Sequence, residues 1–473
     1  MNMDDMFEEL RSSASPARSH DSDSEMREKI HMYMKDPEEF TCQVSMGYPR
    51  TAQKSYGRER RLLMCYPAVV LSGNGWRRRV IYTRSHCPTE SCRTHHAPNN
   101  RYYEPSTNNR TFVSAEMMTT NGEVWRIPES LNLGTPAMAQ LRIHDDREEV
   151  SVKATQLKLR LNYSGCFEIG VFNSKMITVV SKPHRSLQVV TQSHMSFKSG
   201  ESITLSVRNT KLTRNLCIRE GKIAADLPIY STFNIYIVDE NMQEGAEFRV
   251  IEDEAITYGS IVKLVDTKTN IGLPKMRILR SDERGVDMVT DPGISEVLHF
   301  QRAVFQFVDE PNLFLGLDDQ DYQNVRPKMA KSQQFLNKHG QRTIDQAAID
   351  SWLLIPNESI TYTFAEMNGF ADGPVSPVPL YEDYMEFAKG QFISVVGKNF
   401  TPRLQAWLDD IPLDTYYKNC ESIIIRLPDH EERRESTRRL EAAGLISKAT
   451  SELYFVRDDM VIYPSSFTFP SKE

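Results

Sequence analysis

Short β-branched and aromatic runs recur along most of this chain, and they leave room for little but an all-β fold. AVVL (68–71), ITLSV (203–207), FNIYIV (233–238), SIVKLV (260–265), SWLLI (351–355) and ITYTF (360–364) hold four to six residues each, bounded by Gly, Asn, Asp or Pro. Such spacing predicts sandwiches or barrel-like domains rather than βαβ units. Two stretches break the pattern. Within MREKIHMYMKDPEEF (26–40), Met26, Ile30 and Met34 fall at helical spacing and predict a short helix that stops before Pro37. DHEERRESTRRLEAAG (429–444) combines alternating charge with helix formers ended by Gly444, which predicts an exposed helical insertion between two strands.

A chain of 473 residues is too long for one ordinary core, and its punctuation suggests three. SKPHRS (181–186) closes a first strand-rich block, and NGFADGPVSPVPLY (368–381), with its three prolines, sets the last hundred residues apart. No short repeat is visible. The first 24 residues are acidic, Ser-rich and without an apolar core, so they are expected to stay disordered and do not form a secretory signal. No apolar run is long enough to span a bilayer. Seven scattered cysteines form no disulfide framework, in keeping with a reducing, intracellular setting.

Charge is distributed unevenly. Arg50, Lys54, Arg58, Arg60, Arg61, Arg77, Arg78 and Arg79 stand against the single acid Glu59, a local net of +7 in a chain that carries −7. Any nucleic-acid contact must therefore be made by a patch. Arginines beside the Tyr56-Gly57 turn, interleaved with Tyr56 and Trp76, supply forks that read guanine edges, charges that neutralise phosphates and rings that stack. The competing reading is a solvated basic face. HCPTESCRTHH (86–96) offers Cys87, Cys92, His95 and His96 as metal ligands, but the spacing matches no standard knuckle, so a loop without metal is expected. There is no phosphate-binding Gly loop, no Gly-x-Ser-x-Gly elbow and no His-Glu-x-x-His. Neither an enzyme nor a cofactor is expected.

With these residues in view, the chain resembles the CSL family of transcription factors, the Suppressor of Hairless or recombination-signal-binding type that acts at the end of Notch signalling. AQKSYGRERR (52–61) is close to the family's Ala-Gln-Lys-Ser-Tyr-Gly-Asn-Glu-Lys-Arg and is followed by GNGW (73–76). IGVFNSKMITVVSKP (169–183), LTRNLCIREG (212–221), EGAEFRV (244–250), YGSIVKLV (258–265), SPVPLY (376–381) and GKNFTP (397–402) follow in the family's order. The resemblance implies a Rel-like N-terminal sandwich over 25–186, a central β-trefoil over 187–372 and a C-terminal Rel-like (IPT/TIG) immunoglobulin-like sandwich over 373–473. It implies that Arg61 enters the major groove, that Lys54, Ser55 and Tyr56 hold backbone beside Arg58 and Arg60, and that Lys182 and Arg208 lie on the same DNA face. Phe248, Val250, Gly272 and Gln323 match an apolar groove on the trefoil that receives a peptide from a Notch intracellular domain or a corepressor. Gly272 stands where the family has Ala, which is expected to deepen that pocket by a methyl.

The function so implied is sequence-specific, nuclear regulation of genes transcribed by RNA polymerase II. A monomer would bind a GTGGGAA-like duplex and recruit Mastermind-type coactivators or corepressors. Three departures define the alternative, an interaction scaffold with weakened DNA binding. The family's lysine run after SKP is reduced to His184-Arg185, its trefoil readout loop is shortened to Asn209-Thr210-Lys211, and its basic segment is replaced by HDDREE (144–149). Each lost cation removes a phosphate contact.

Overall fold

The computed structural model describes residues 20–56, 62–78, 111, 113–120, 122–127, 130–145, 153–163, 167–180, 195–209, 212–226, 229–238, 254–282, 285–287, 295–317, 327–331, 334–336, 342–344, 350–367, 373–445 and 450–470. Strands dominate them. Thr41–Pro49 alternates between half-buried and buried positions, so Cys42, Val44, Met46 and Tyr48 face inward. A second sheet, ordered Phe167–Asn173, Leu157–Tyr163, Val113–Thr119, Val124–Ile127, turns Leu157, Leu159 and Leu161 into the same core. That core continues into the C-terminal sandwich through Val395, Ile425 and Phe455.

The threefold repeat that the sequence hides is explicit in the backbone. Phe197 N–H donates to Val297 O at 2.9 Å, Val297 N–H to Ile256 O at 2.8 Å, and Ile256 N–H to Phe197 O at 2.8 Å, closing a triangle. All three side chains are fully buried at its centre. Three residues after each comes a turn residue with positive φ: Gly200 (93°), Gly259 (94°) and Phe300 (60°). Each of these turn residues donates its N–H to a strand further along the chain, at Ile235 O, Ile278 O and Leu354 O respectively. This is the β-trefoil.

One strand ties the domains together. Trp352–Glu366 runs for 15 residues where two short strands are expected from SWLLI and ITYTF. Its first part pairs with the trefoil, Ser206 opposite Leu353 through Ile203 opposite Pro356. The next part pairs with the N-terminal sandwich, Pro49 opposite Asn357 through Thr41 opposite Ala365. Its end pairs with the C-terminal sandwich, Ala365 opposite Ile462. Pro356 is tolerated because it sits where the strand changes partners, so its missing N–H interrupts no ladder while its carbonyl accepts from Arg50 N at 2.9 Å.

In the C-terminal domain, the sheet Leu380–Phe387, Phe392–Lys398, Ser422–Arg426, Thr415–Asn419 faces Leu404–Leu408, Thr450–Arg457 and Val461–Pro470. The expected helix spans His430–Ala442, opened by a capping box between Asp429 and Glu432 and followed by Gly444 at φ 74°. The N-terminal helix is longer than expected. It spans His20–Lys35 and so begins inside the tail expected to be disordered. A separate turn, Pro37–Phe40, follows it. Met26, Ile30 and Tyr33 bury themselves against Trp407, Tyr454, Val456 and Ile462, so this helix covers the outer face of a C-terminal sheet. Asp410, with no side-chain exposure, seals the seam: it accepts from Arg439 Nε at 2.8 Å, from Ser436 Oγ and from His31 Nε2 at 3.2 Å, while Arg27 Nε lies 3.9 Å away.

Candidate nucleic-acid interface

The backbone that carries the basic segment is gripped on both sides. Thr51–Gln53 pairs in parallel with Ile177–Val180, and Lys54 N–H continues the ladder to Val180 O at 3.1 Å. Ser55 N–H then crosses to Ile143 O at 2.8 Å, and Ser55–Tyr56 pairs in parallel with His144–Asp145. On the return, Leu63 N–H donates to Leu141 O at 2.8 Å and its side chain is buried. Both feet of the loop are thus fixed to one short segment, 141–145, and residues 57–61 span the gap.

The expected DNA-facing residues fall into two groups. Lys54 and Ser55 are buried, at 2% and 0% exposure. Tyr56 is defined by its pairing opposite Asp145, the first acid of HDDREE, so the acidic departure begins alongside the basic loop. Arg208 pairs with Thr213, and Asn209 with Leu212, leaving only Thr210 and Lys211 to join the two strands. Arg58, Arg60, Arg61 and Lys182 lie outside the described residues, as do Arg79 and the Cys87–Cys92–His95–His96 cluster. Among the described residues no group of three His, Cys, Asp or Glu could hold a metal.

Three members of the basic segment have other tasks. Trp76, expected among the stacking aromatics, is a core residue at 1% exposure whose Nε1 donates to Gln43 O at 3.2 Å. Arg78 pairs with Glu39, its guanidinium 4.2 Å above the Phe40 ring. Arg50 reaches into the trefoil, where its two terminal nitrogens contact Glu201 at 2.7 and 2.9 Å. Nothing local in the sequence signals that Glu201 is its partner. Cys65 lies at the same junction, its thiol pushed up to about 12 by burial against the lowering effect of hydrogen bonds from Thr204 and Asn357.

On the trefoil, Gly272 bridges to Val265. A Cβ there would lie 2.9 Å from Lys263 Cε, so the space of the missing methyl is taken by the lysine arm and the pocket is not deepened. Phe248, Val250 and Gln323 lie outside the described residues. The Ser436, Asp410 and His31 side chains do not form a nucleophilic relay, because the hydroxyl and the imidazole both bind the carboxylate and not each other.

Comparison with known proteins agrees with this architecture. Residues 44–194 match a family model described as LAG1, DNA binding; residues 220–342 match the beta-trefoil DNA-binding domain; residues 378–471 match a TIG domain of the same type. The recombining binding protein suppressor of hairless-like protein of Homo sapiens is 28% identical over 439 residues, covering 90% of this chain and 78% of that protein. Its Mus musculus counterpart is 28% identical over 432 residues, covering 89% and 78%. Among solved structures the lysenin pore aligns over 51% of this chain and 82% of that chain at 12% identity with a TM-score of 0.19, which carries no argument. Three matched domains in one order, on a sandwich, a trefoil and a second sandwich joined by a shared strand, make this chain a divergent member of the CSL family of transcription factors.

Proposed function

We propose that this CSL-type DNA-binding regulator reads a GTGGGAA-like duplex in the nucleus by recognition alone, with no bond made or broken. The observation that carries this reading is the anchored basic loop: residues 51–56 and Leu63 are bonded to the N-terminal sandwich, and the intervening 57–61 hold three arginines. Arg61 supplies base readout, with its neighbours Leu62 and Leu63 leading back to the core. Arg58 and Arg60 neutralise phosphates, and Lys182 and Arg208 extend the contact beyond the loop. Lys54 and Ser55, being buried, serve the duplex through the loop geometry they set. The trefoil groove formed with Phe248, Val250, Gly272 and Gln323 receives a Notch-type or corepressor peptide by strand addition, and a Mastermind-type coactivator docks on the assembled surface.

The test is a gel shift with specific and scrambled duplexes. Loss of one bidentate guanine contact costs about 1–3 kcal/mol, so Arg61→Ala should abolish discrimination at one base pair while the fold survives. Equal binding of wild type and Arg61→Ala to both duplexes would refute the assignment.

A further inference from the structure

Arg50 stands at the foot of the basic loop, one residue before the strand Thr51–Gln53 that leads into it, yet it faces the trefoil. Its guanidinium takes Glu201 from the first trefoil repeat in a two-pronged pair and donates from the second terminal nitrogen to His299 Nε2, in the third repeat, at 3.1 Å. A guanidinium has no acceptor, so Nε2 must accept and the His299 proton sits on Nδ1, which lies 3.1 Å from Thr51 Oγ1. Thr51 and His299 are buried, at 2% and 3% exposure, and the Phe197 ring packs against the imidazole with centroids 4.7 Å apart. Beside this polar knot Phe300 closes an apolar one with Cys65 and Ile355, and Tyr230 donates to Tyr66 O at 3.0 Å. Two consecutive residues at the start of the loop-bearing segment, Arg50 and Thr51, are thereby bonded to two separate repeats of the trefoil.

We infer that Arg50, with Glu201 and His299, is a positioning joint: it fixes the angle between the loop-bearing domain and the trefoil so that both meet one duplex in register. This rests on the DNA-binding reading above. A bidentate arginine–carboxylate pair is directional, so it resists rotation as well as separation. An error of about 1 Å at the joint is carried along the rigid loop feet to the base-reading tip. Arg50 is therefore a cation whose contribution to DNA binding is geometric. That sets it apart from a phosphate contact, because its partner is an acid on the other domain.

The two roles respond oppositely to charge changes at Glu201. If Arg50 touched phosphate, Glu201→Arg would add a cation and strengthen binding. For a joint, Glu201→Arg and Arg50→Glu should each weaken specific-duplex binding about tenfold, Arg50→Lys should retain part of it, and the Arg50→Glu, Glu201→Arg pair should recover most of it. Binding is measured on the full chain with specific and scrambled duplexes, alongside amide exchange at Thr51, Ser55 and Phe300 without DNA. Faster exchange there in the single variants and recovery in the pair would support the joint independently of DNA. Stronger binding by Glu201→Arg, or no recovery in the pair, would overturn it. If the wild type bound neither duplex while exchange behaved as stated, the DNA-binding reading would fall, and the joint would lose its role in DNA reading while standing as a structural contact.

Discussion

Phe300 occupies the turn position that the other two trefoil repeats give to glycine, and this makes an unusual mutational order testable. Its φ of 60° puts a bulky residue in the left-handed region, where a Cβ costs roughly 1–2 kcal/mol. The ring is 7% exposed and packs between the trefoil and the N-terminal sandwich, so truncating it costs about 3–5 kcal/mol whichever small residue replaces it. Phe300→Ala loses the ring and keeps the Cβ strain. Phe300→Gly loses the ring and the strain, but gives the unfolded chain extra freedom worth about 0.4–1 kcal/mol. Glycine should come out ahead by about 1 kcal/mol. At an ordinary position the order is reversed, with alanine ahead by roughly 0.5–1 kcal/mol.

Differential scanning calorimetry of the three proteins reads this directly. For a cooperative unit of 150–250 residues, 1 kcal/mol moves Tm by about 2–4 °C, so Phe300→Gly should melt that far above Phe300→Ala and both below wild type. Gly200→Ala supplies a control, since φ is 93° there and an added Cβ meets only Tyr236 Cε1 at 4.0 Å; its cost comes from the backbone alone. Phe300→Ala melting at or above Phe300→Gly would refute the idea that the third repeat stores strain to place an aromatic ring at the domain junction.

Three further outcomes are expected. Burial works against the charge of Asp410, but hydrogen bonds from Arg439 and Ser436 outweigh it and hold the carboxyl below its ordinary value, so the stability it provides is present above about pH 3.9 and lost as pH falls through the lower folded value. Amide exchange of residues 23–35 should therefore accelerate in that acid window; Asp409, raised by burial, shifts stability the opposite way, and no acceleration would refute Asp410 as the seal. Duplex affinity should fall with salt less steeply than for a relative that keeps the lysine run and basic segment, by about 0.9 in log–log slope per lost phosphate contact, and an equal slope would refute the significance of HDDREE and SKPHRS. Calorimetric titration with a coregulator-type peptide should detect binding in the wild type and lose it in a folded Phe248→Ala, Val250→Ala variant, whereas Gly272→Ala should fold normally because only the flexible Lys263 arm must move; binding unchanged in the double variant would remove the groove assignment.

What the sequence reveals follows the range of the interactions involved. Strand identity, the charged helix ended by Gly444 and the apolar spacing of Met26 and Ile30 are set within a few residues, and all are legible. The trefoil repeat is illegible because its three copies, at Phe197, Ile256 and Val297, share burial and backbone hydrogen bonds but almost no residue types. Pro356 reads as a strand break because a proline removes a donor, yet the missing donor falls where no partner needs one.

Arg50 marks the limit of reading charge along a chain. Eight cations within 30 residues look like one electrostatic unit, and phosphate neutralisation is the ready explanation. Folding assigns them separately: Arg78 to Glu39 within the same domain, Arg50 to Glu201, 151 positions away, and to His299, 249 positions away. Proximity in sequence sets how much positive charge a segment holds, whereas the pairing of that charge depends on topology. Net charge therefore bounds the number of phosphate contacts from above, and each arginine paired across a domain boundary lowers the bound while making the remaining contacts more exact in position. On this view, a divergent member with fewer cations on its DNA face can keep sequence preference while losing affinity, because readout depends on how rigidly the loop is held and affinity on how many charges it delivers.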